Sequence, residues 1–162
     1  MTYREFLESK IDLATDSGFV VDRSKINPAL KPHQVDAVAW ALKGGRRALF
    51  EAFGLGKTVQ EIEFCHLAAE HTGGRALIVL PLGVKQEFTR DAVELLGYEK
   101  PEYCRTMEEV KACDSQIVLT NYERVRDGDI DPSYFAATSL DEASVLRSFG
   151  SKTYQTFLDK FK

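Results

Sequence analysis

The chain has 162 residues, of which 44% are hydrophobic and 28% charged, with a formal net charge of −4. That length and balance suit one soluble globular domain with a real core. They argue against a membrane-spanning chain, since no apolar run approaches the ~20 residues a bilayer needs, and against tight autonomous DNA binding, which calls for a basic surface.

The N-terminus, "MTYREFLESK", is charged and lacks the apolar stretch of a secretory signal. The expected location is therefore the cytoplasm. Three cysteines, Cys65, Cys104 and Cys113, form no CxxC pair, and an odd count fits a reducing compartment. Cys65, His66 and His71 lie close in sequence, but no second ligand pair with zinc spacing accompanies them. A buried thiol and ordinary imidazoles are the expectation there.

Residues 2 to 15 read as a helix, with Tyr3, Phe6, Leu7 and Ile11 on one side. "GFVVD" follows as a short strand or an extended arm, and Pro28 and Pro32 break the chain. A second helix starts at Pro32, carries Val35, Val38, Ala39 and Leu42 at helical spacing, and ends at Gly44 and Gly45. From there strands and helices alternate. "RRALFEAF" reads as a strand, Lys57 to about His71 as a helix, and "RALIVLP" as a strand. Val84 to Leu96 reads as a helix with Val84, Phe88, Ala92 and Leu95 on one stripe. "EYCR" is a short strand, "MEEVKA" a short helix and "QIVLTNY" a strand. A weaker strand ends near Leu140, and a last helix puts Tyr154, Phe157, Leu158 and Phe161 on one face. Such alternation predicts an α/β fold with a mostly parallel sheet covered on both sides. Ligands of such sheets sit at the carboxyl ends of the strands.

That is where "FEAFGLGKTVQ" falls. The general phosphate-loop pattern is G-x-x-x-x-G-K-[ST]. Glu51 stands where its first glycine belongs, so the strict motif fails, but Gly54, Leu55, Gly56, Lys57 and Thr58 keep its second half. Gly54 and Gly56 let backbone N–H groups turn inward as an anion nest, and the following helix adds the positive end of its dipole. Lys57 would reach the β- and γ-phosphates, and Thr58 would ligate Mg2+. Phosphoryl transfer also needs a carboxylate for the metal and a group to position water. "LDEAS" offers both at one strand end: Asp141 for the metal and Glu142 for the water.

The segments "LKPHQVDAVAWAL", "EAFGLGKTVQ", "ALIVLPLGVKQEF", "IVLTNYERVR" and "LDEAS" occur in an order that resembles superfamily 2 helicases. The resemblance is strongest to the Swi/Snf-type branch of DNA translocases in its phage and bacterial versions. It covers about Leu30 to about Ser148, and implies a RecA-like P-loop lobe of three layers, α/β/α, over residues 31–162. Residues 1–30 are then an N-terminal helix and arm. It further implies that Gln34 reads the adenine edge, which makes the nucleotide ATP. Gly54, Gly56, Lys57 and Thr58 match the family's first motif, and Asp141 and Glu142 its second. The segment Pro81 to Lys85, with Thr120 and Asn121, resembles stretches that touch a DNA backbone. Bacterial cytoplasm or a phage-infected cell is the location it suggests.

Two departures from the family pattern stand out. Ser144 replaces the histidine usual in this branch, which bears on coupling between ATP and nucleic acid. The sequence also stops at Lys162, before the family's third motif and its second RecA-like lobe with the arginine finger. Arg124, Arg126 and Arg147 have no motif context and read as solvated. Without the third-motif strand, the phosphate-loop strand and the Asp-Glu strand are expected either to pair directly or to leave a gap. The implied function is the ATP-binding lobe of a helicase-like, DNA-dependent ATPase. DNA is a weak partner, or one of the complete enzyme only, and a second lobe or another protein completes the site. The alternative is a non-enzymatic interaction protein derived from such a lobe. A small P-loop kinase fits less well, because the order of motifs is helicase-like and no arginine-rich lid segment is present.

Overall fold

The structure is a computed structural model and describes residues 2, 5, 15–51, 55–147 and 151–161. Most of the expected first helix, including Tyr3, Phe6, Leu7 and Ile11, lies outside the described residues, as do residues 52–54.

The sheet is parallel throughout. Its strands are β1 (Ala76–Val79), β2 (Glu102–Tyr103), β3 (Ile117–Thr120) and β4 (Ala137–Leu140), in the order β2-β3-β1-β4. β1 and β3 are buried at every position and apolar at all but Thr120, as suits interior parallel strands. Alternate side chains feed two cores. Ala76, Ile78, Leu80, Ile117 and Leu119 join one, and Leu77, Val79 and Val118 the other. The first core is covered by α1 (Pro32–Gly44), α2 (Lys57–Thr72) and α3 (Lys85–Arg90) through Val38, Leu42, Ile62, Cys65 and Phe88. The second is covered by α4 (Met107–Ala112), α5 (Tyr122–Arg126) and α6 (Lys152–Lys160) through Val110, Tyr122, Val125 and Phe157. The result is a three-layer α/β/α sandwich.

Register decides what this sheet can do. Val79 pairs with Thr120 on one side and with Leu140 on the other. The carboxyl ends of β1, β3 and β4 are therefore level. Pro81, Asn121 and Asp141 leave the sheet at the same edge.

Three expectations change. The stretch before the phosphate loop is not a strand: residues 47–51 are extended but unpaired, and Phe50 is 97% exposed. This segment is held at its two ends instead. Arg47 pairs with Asp16 at 2.7 Å and lies over the Trp40 ring, and Glu51 accepts from Gln60 Nε2 at 2.8 Å. Direct pairing with the Asp-Glu strand is thus not found. β4 is an edge strand among the described residues, with only β1 beside it. The helix after β1 also departs from regular spacing. A 3-10 turn, Leu82–Val84, precedes α3, and a π turn, Asp91–Leu95, follows it. The wider turn, closed by Leu96 N–H donating to Asp91 O at 3.1 Å, shifts the stripe by one residue. Phe88 and Ala92 are buried as expected, but Leu96 faces the core and Leu95 is 55% exposed. Finally, the α5 turn was not foreseen, and it buries Tyr122 and Val125.

"GFVVD" is an arm. Its Gly18 and Phe19 N–H groups, with that of the preceding Ser17, donate to the Lys43, Leu42 and Gly44 carbonyls respectively, which are acceptors left over at the end of α1. On α6 only Phe157 of the apolar face is fully buried, against Tyr122 and Phe161, while Leu158 stays exposed. Among the described residues, no helix is long and apolar enough to cross a membrane.

Candidate nucleotide site

α2 begins where the phosphate loop ends. Gly56 caps it with φ 75° and ψ 45°, a left-handed conformation that costs glycine little. Glycine is required there for a second reason. A Cβ at this position would lie 2.3 Å from Gln34 Nε2. Lys57 and Thr58 form the first turn of the helix, at its positive dipole end. Thr58 Oγ1 lies 3.4 Å from Glu87 Oε1 on α3. Leu55 is exposed, and its carbonyl accepts from Gln34 Nε2 at 2.9 Å. Gly54 lies outside the described residues, so the nest itself is not described.

Gln34 is 6% exposed and already engaged at both ends of its amide. Its Oε1 accepts from Lys31 N at 2.8 Å, capping α1, while its Nε2 holds the Leu55 carbonyl. The side chain thus braces the loop against α1. Each end of the amide keeps one further hydrogen-bonding position.

The acidic end is built by β4. Asp141 N–H donates to Val79 O at 2.8 Å, which continues the ladder, and Asp141 O accepts from Tyr122 OH at 2.5 Å. The Asp141 carboxyl is raised above the usual range, chiefly by burial. Glu142 is exposed and sits at φ 50°, in the left-handed region where a side chain is strained. Its Oε1 accepts from Ser144 Oγ. Ser144 therefore orients the carboxylate expected to position water.

One member of this cluster was missed in the sequence. Glu61 stands one turn beyond Lys57 on the same face of α2. Its Oε1 accepts from Ser139 Oγ at 2.6 Å, while its Oε2 is buried without a partner. Its carboxyl is pushed up to about 8, first by burial and then by the charge of Asp141, with Lys57 acting the other way. The signal was available: a fourth-residue spacing from the lysine that must approach the metal site. An orphaned carboxylate oxygen beside Asp141, with Thr58 at the helix start, is a donor set of hard oxygens. It fits Mg2+.

The expected nucleic-acid residues lie at the same sheet edge but differ in access. Lys85 is half-buried with its ammonium 4.8 Å from the centre of the Tyr103 ring. Thr120 is fully buried, and its hydroxyl donates to Cys104 O at 2.9 Å. Asn121 is 7% exposed, accepting from Tyr103 OH and donating to Glu123. Neither Thr120 nor Asn121 offers a free polar group here. A cavity of about 310 Å³ opens beside them, lined by Pro81, Leu82, Tyr122, Glu123 and Thr153. Among the described residues that line it, the charged one, Glu123, is an acid, which opposes a phosphate backbone. Arg124 and Arg126 pair with Asp129 and Asp127, at 3.1 and 2.9 Å.

No protein-family model matches the chain, and no curated protein matches it. Solved structures do. The SWI2/SNF2 ATPase core of Sulfolobus solfataricus, solved in complex with double-stranded DNA, superposes with a TM-score of 0.63 at 18% identity. That match covers 85% of this chain and 31% of the other. The UvsW helicase of bacteriophage T4 superposes with a TM-score of 0.66 at 17% identity, covering 99% of this chain and 56% of that one. The chain has a RecA-like α/β fold. This lobe spans only part of the length of either solved chain. At these identities the likeness is one of fold, which places the carboxyl edge of β1, β3 and β4 as the ligand-facing edge.

Proposed function

We propose that this RecA-like lobe binds ATP with Mg2+ as one half of a superfamily 2 helicase-type, DNA-dependent ATPase. The observation that carries the reading is the convergence of Lys57 and Thr58 at the start of α2 with Asp141 and Glu142 at the end of β4. The two elements are joined by the Ser139–Glu61 hydrogen bond. Lys57 neutralises phosphate charge, and the α2 N-terminus supplies N–H donors. Thr58 and Asp141 would hold Mg2+, which withdraws charge from the phosphate oxygens when bound. Glu142, held by Ser144, orients the attacking water. Gln34 links the base side of the site to the loop through Leu55.

Turnover by these 162 residues is slow on this reading. An arginine finger contributes on the order of 10³ to 10⁵ in rate. Arg124 and Arg126 are instead committed to neighbouring acids. A second lobe or another protein would supply the missing cation. A non-enzymatic role has one observation in its favour, the unshared edge of β4. Phosphate release with and without duplex DNA separates the two. The ATPase reading predicts slow, ATP-dependent release that DNA does not raise appreciably and that Glu142→Gln removes. Release that Glu142→Gln leaves unchanged contradicts the roles assigned here.

A further inference from the structure

On the other face of the sheet from Cys65 lies a pair of thiols outside the nucleotide site. Cys104 follows β2 and Cys113 caps the end of α4. Their sulfurs are 3.8 Å apart, within van der Waals contact and unbonded. Cys104 is 2% exposed and Cys113 half-buried, and both line a surface cavity of about 410 Å³ with Glu102, Tyr103, Arg105 and Glu109. Arg75 reaches across from the start of β1. Its Nε and Nη1 donate to Ser115 O and Val110 O at 2.8 and 2.7 Å, and its Nη2 donates to Cys113 Sγ at 3.1 Å. Two backbone carbonyls thus fix a guanidinium against one sulfur of the pair.

We propose that Cys104 and Cys113 form an oxidisable dithiol, a modification site at which hydrogen peroxide closes an intrachain disulfide. Cys113 is the attacking sulfur. It is the more exposed of the two sulfurs, and the Arg75 guanidinium is held against it. The Cys113 sulfur attacks one peroxide oxygen, the O–O bond breaks, and the departing hydroxide takes up the thiol proton as water. Cys113 is left as a sulfenic acid. The Cys104 sulfur then attacks Cys113, the S–O bond breaks, and the oxygen leaves as water with the Cys104 proton. Two thiols lose two electrons, and one peroxide becomes two waters. Cys104 suits the resolving role. Its sulfur lies 3.8 Å from Cys113, beside the electrophile formed there, while burial pushes its thiol up to about 12 and keeps it from reacting first. Closure needs the sulfurs to approach to about 2.05 Å, a side-chain movement rather than a change of fold. The cross-link would tie α4 to the end of β2. Cys104 O already accepts there from the Thr120 hydroxyl.

The test is hydrogen peroxide treatment of the purified chain, then thiol alkylation and peptide mapping. The expected result is one Cys104–Cys113 cross-link with Cys65 still free, reversed by a dithiol reductant. In Cys104→Ser, dimedone should trap a sulfenic acid on Cys113. In Cys113→Ser, Cys104 should stay reduced. Three free thiols in the wild type, at peroxide levels that oxidise an unstructured cysteine peptide, overturn the proposal. So does oxidation of Cys104 in Cys113→Ser at the wild-type rate. The wild-type map requires no variant to fold, and Cys104→Ala repeats the trapping experiment with a different replacement.

Discussion

The middle of the sheet and its phosphate-loop side are built to different standards. β1 and β3 have partners on both edges and helices on both faces, and every side chain in them is buried. Residues 47–51 run extended toward the phosphate loop without joining the sheet, and expose Phe50. Composition does not explain the contrast, because "RALF" is as apolar as many strands. Pairing does. A parallel strand is stabilised by ladders to its neighbours and by cover on its faces, and the edge of β4 has no second neighbour among the described residues. The proposed nucleotide site therefore rests on α2 and on the brace from Gln34 more than on the segment that precedes its loop.

The largest expected effect follows from that contrast. Leu119→Ala, in a fully buried position of β3, should cost about 2–5 kcal/mol in urea unfolding. Phe50→Ala should stay within about 0.5 kcal/mol. Comparable losses at the two positions would show that the 47–51 segment is part of the core after all. Next in size, Gly56→Ala should cost more than about 1 kcal/mol, because it strains a left-handed residue and drives a methyl into Gln34. Circular dichroism melting checks it, and an unchanged melting temperature would mean that Gln34 does not brace the loop.

A smaller effect is expected from pH. Glu61 has a folded-state value of about 8 against an ordinary 4.5, so the folded protein holds this proton more tightly than the unfolded chain. Its contribution to stability is therefore full below the ordinary value and is lost as pH rises through the folded one. Chemical denaturation across that range should show stability falling toward pH 8, and Glu61→Gln should flatten the fall. An equally steep profile in the variant would place the titrating group elsewhere. The smallest effect concerns base choice. Gln34→Ala should narrow the gap between ATP and GTP affinity, measured by competition with a fluorescent nucleotide. Equal binding of the two by the wild type would leave Gln34 as a brace only.

These residues also mark how far the sequence could be read. "ALIV" and "IVLT" were legible as buried strands because an unbroken apolar run between turn residues has few other homes. The α/β/α layering followed from alternation alone. The π turn after α3 was not legible. Leu95 and Leu96 are both apolar, and only the wider turn decides which faces the core. The 47–51 segment was misread because periodicity reports a segment's own preference and says nothing of whether a neighbour exists to pair with it. At the site, glycine, lysine and paired acids were visible as types. The use of Gln34 as a cap, the burial of Thr120 and the approach of Glu61 to Asp141 depend on distances that spacing does not encode.

The central claim is that α2 and β4 together hold a magnesium-bound nucleoside triphosphate. Calorimetric titration of the purified chain with ATP and Mg2+, repeated with Lys57→Ala, tests it most directly. The account predicts saturable binding by the wild type and none by Lys57→Ala, with the variant's circular dichroism spectrum and melting curve unchanged. Equal affinity in the two proteins would contradict it.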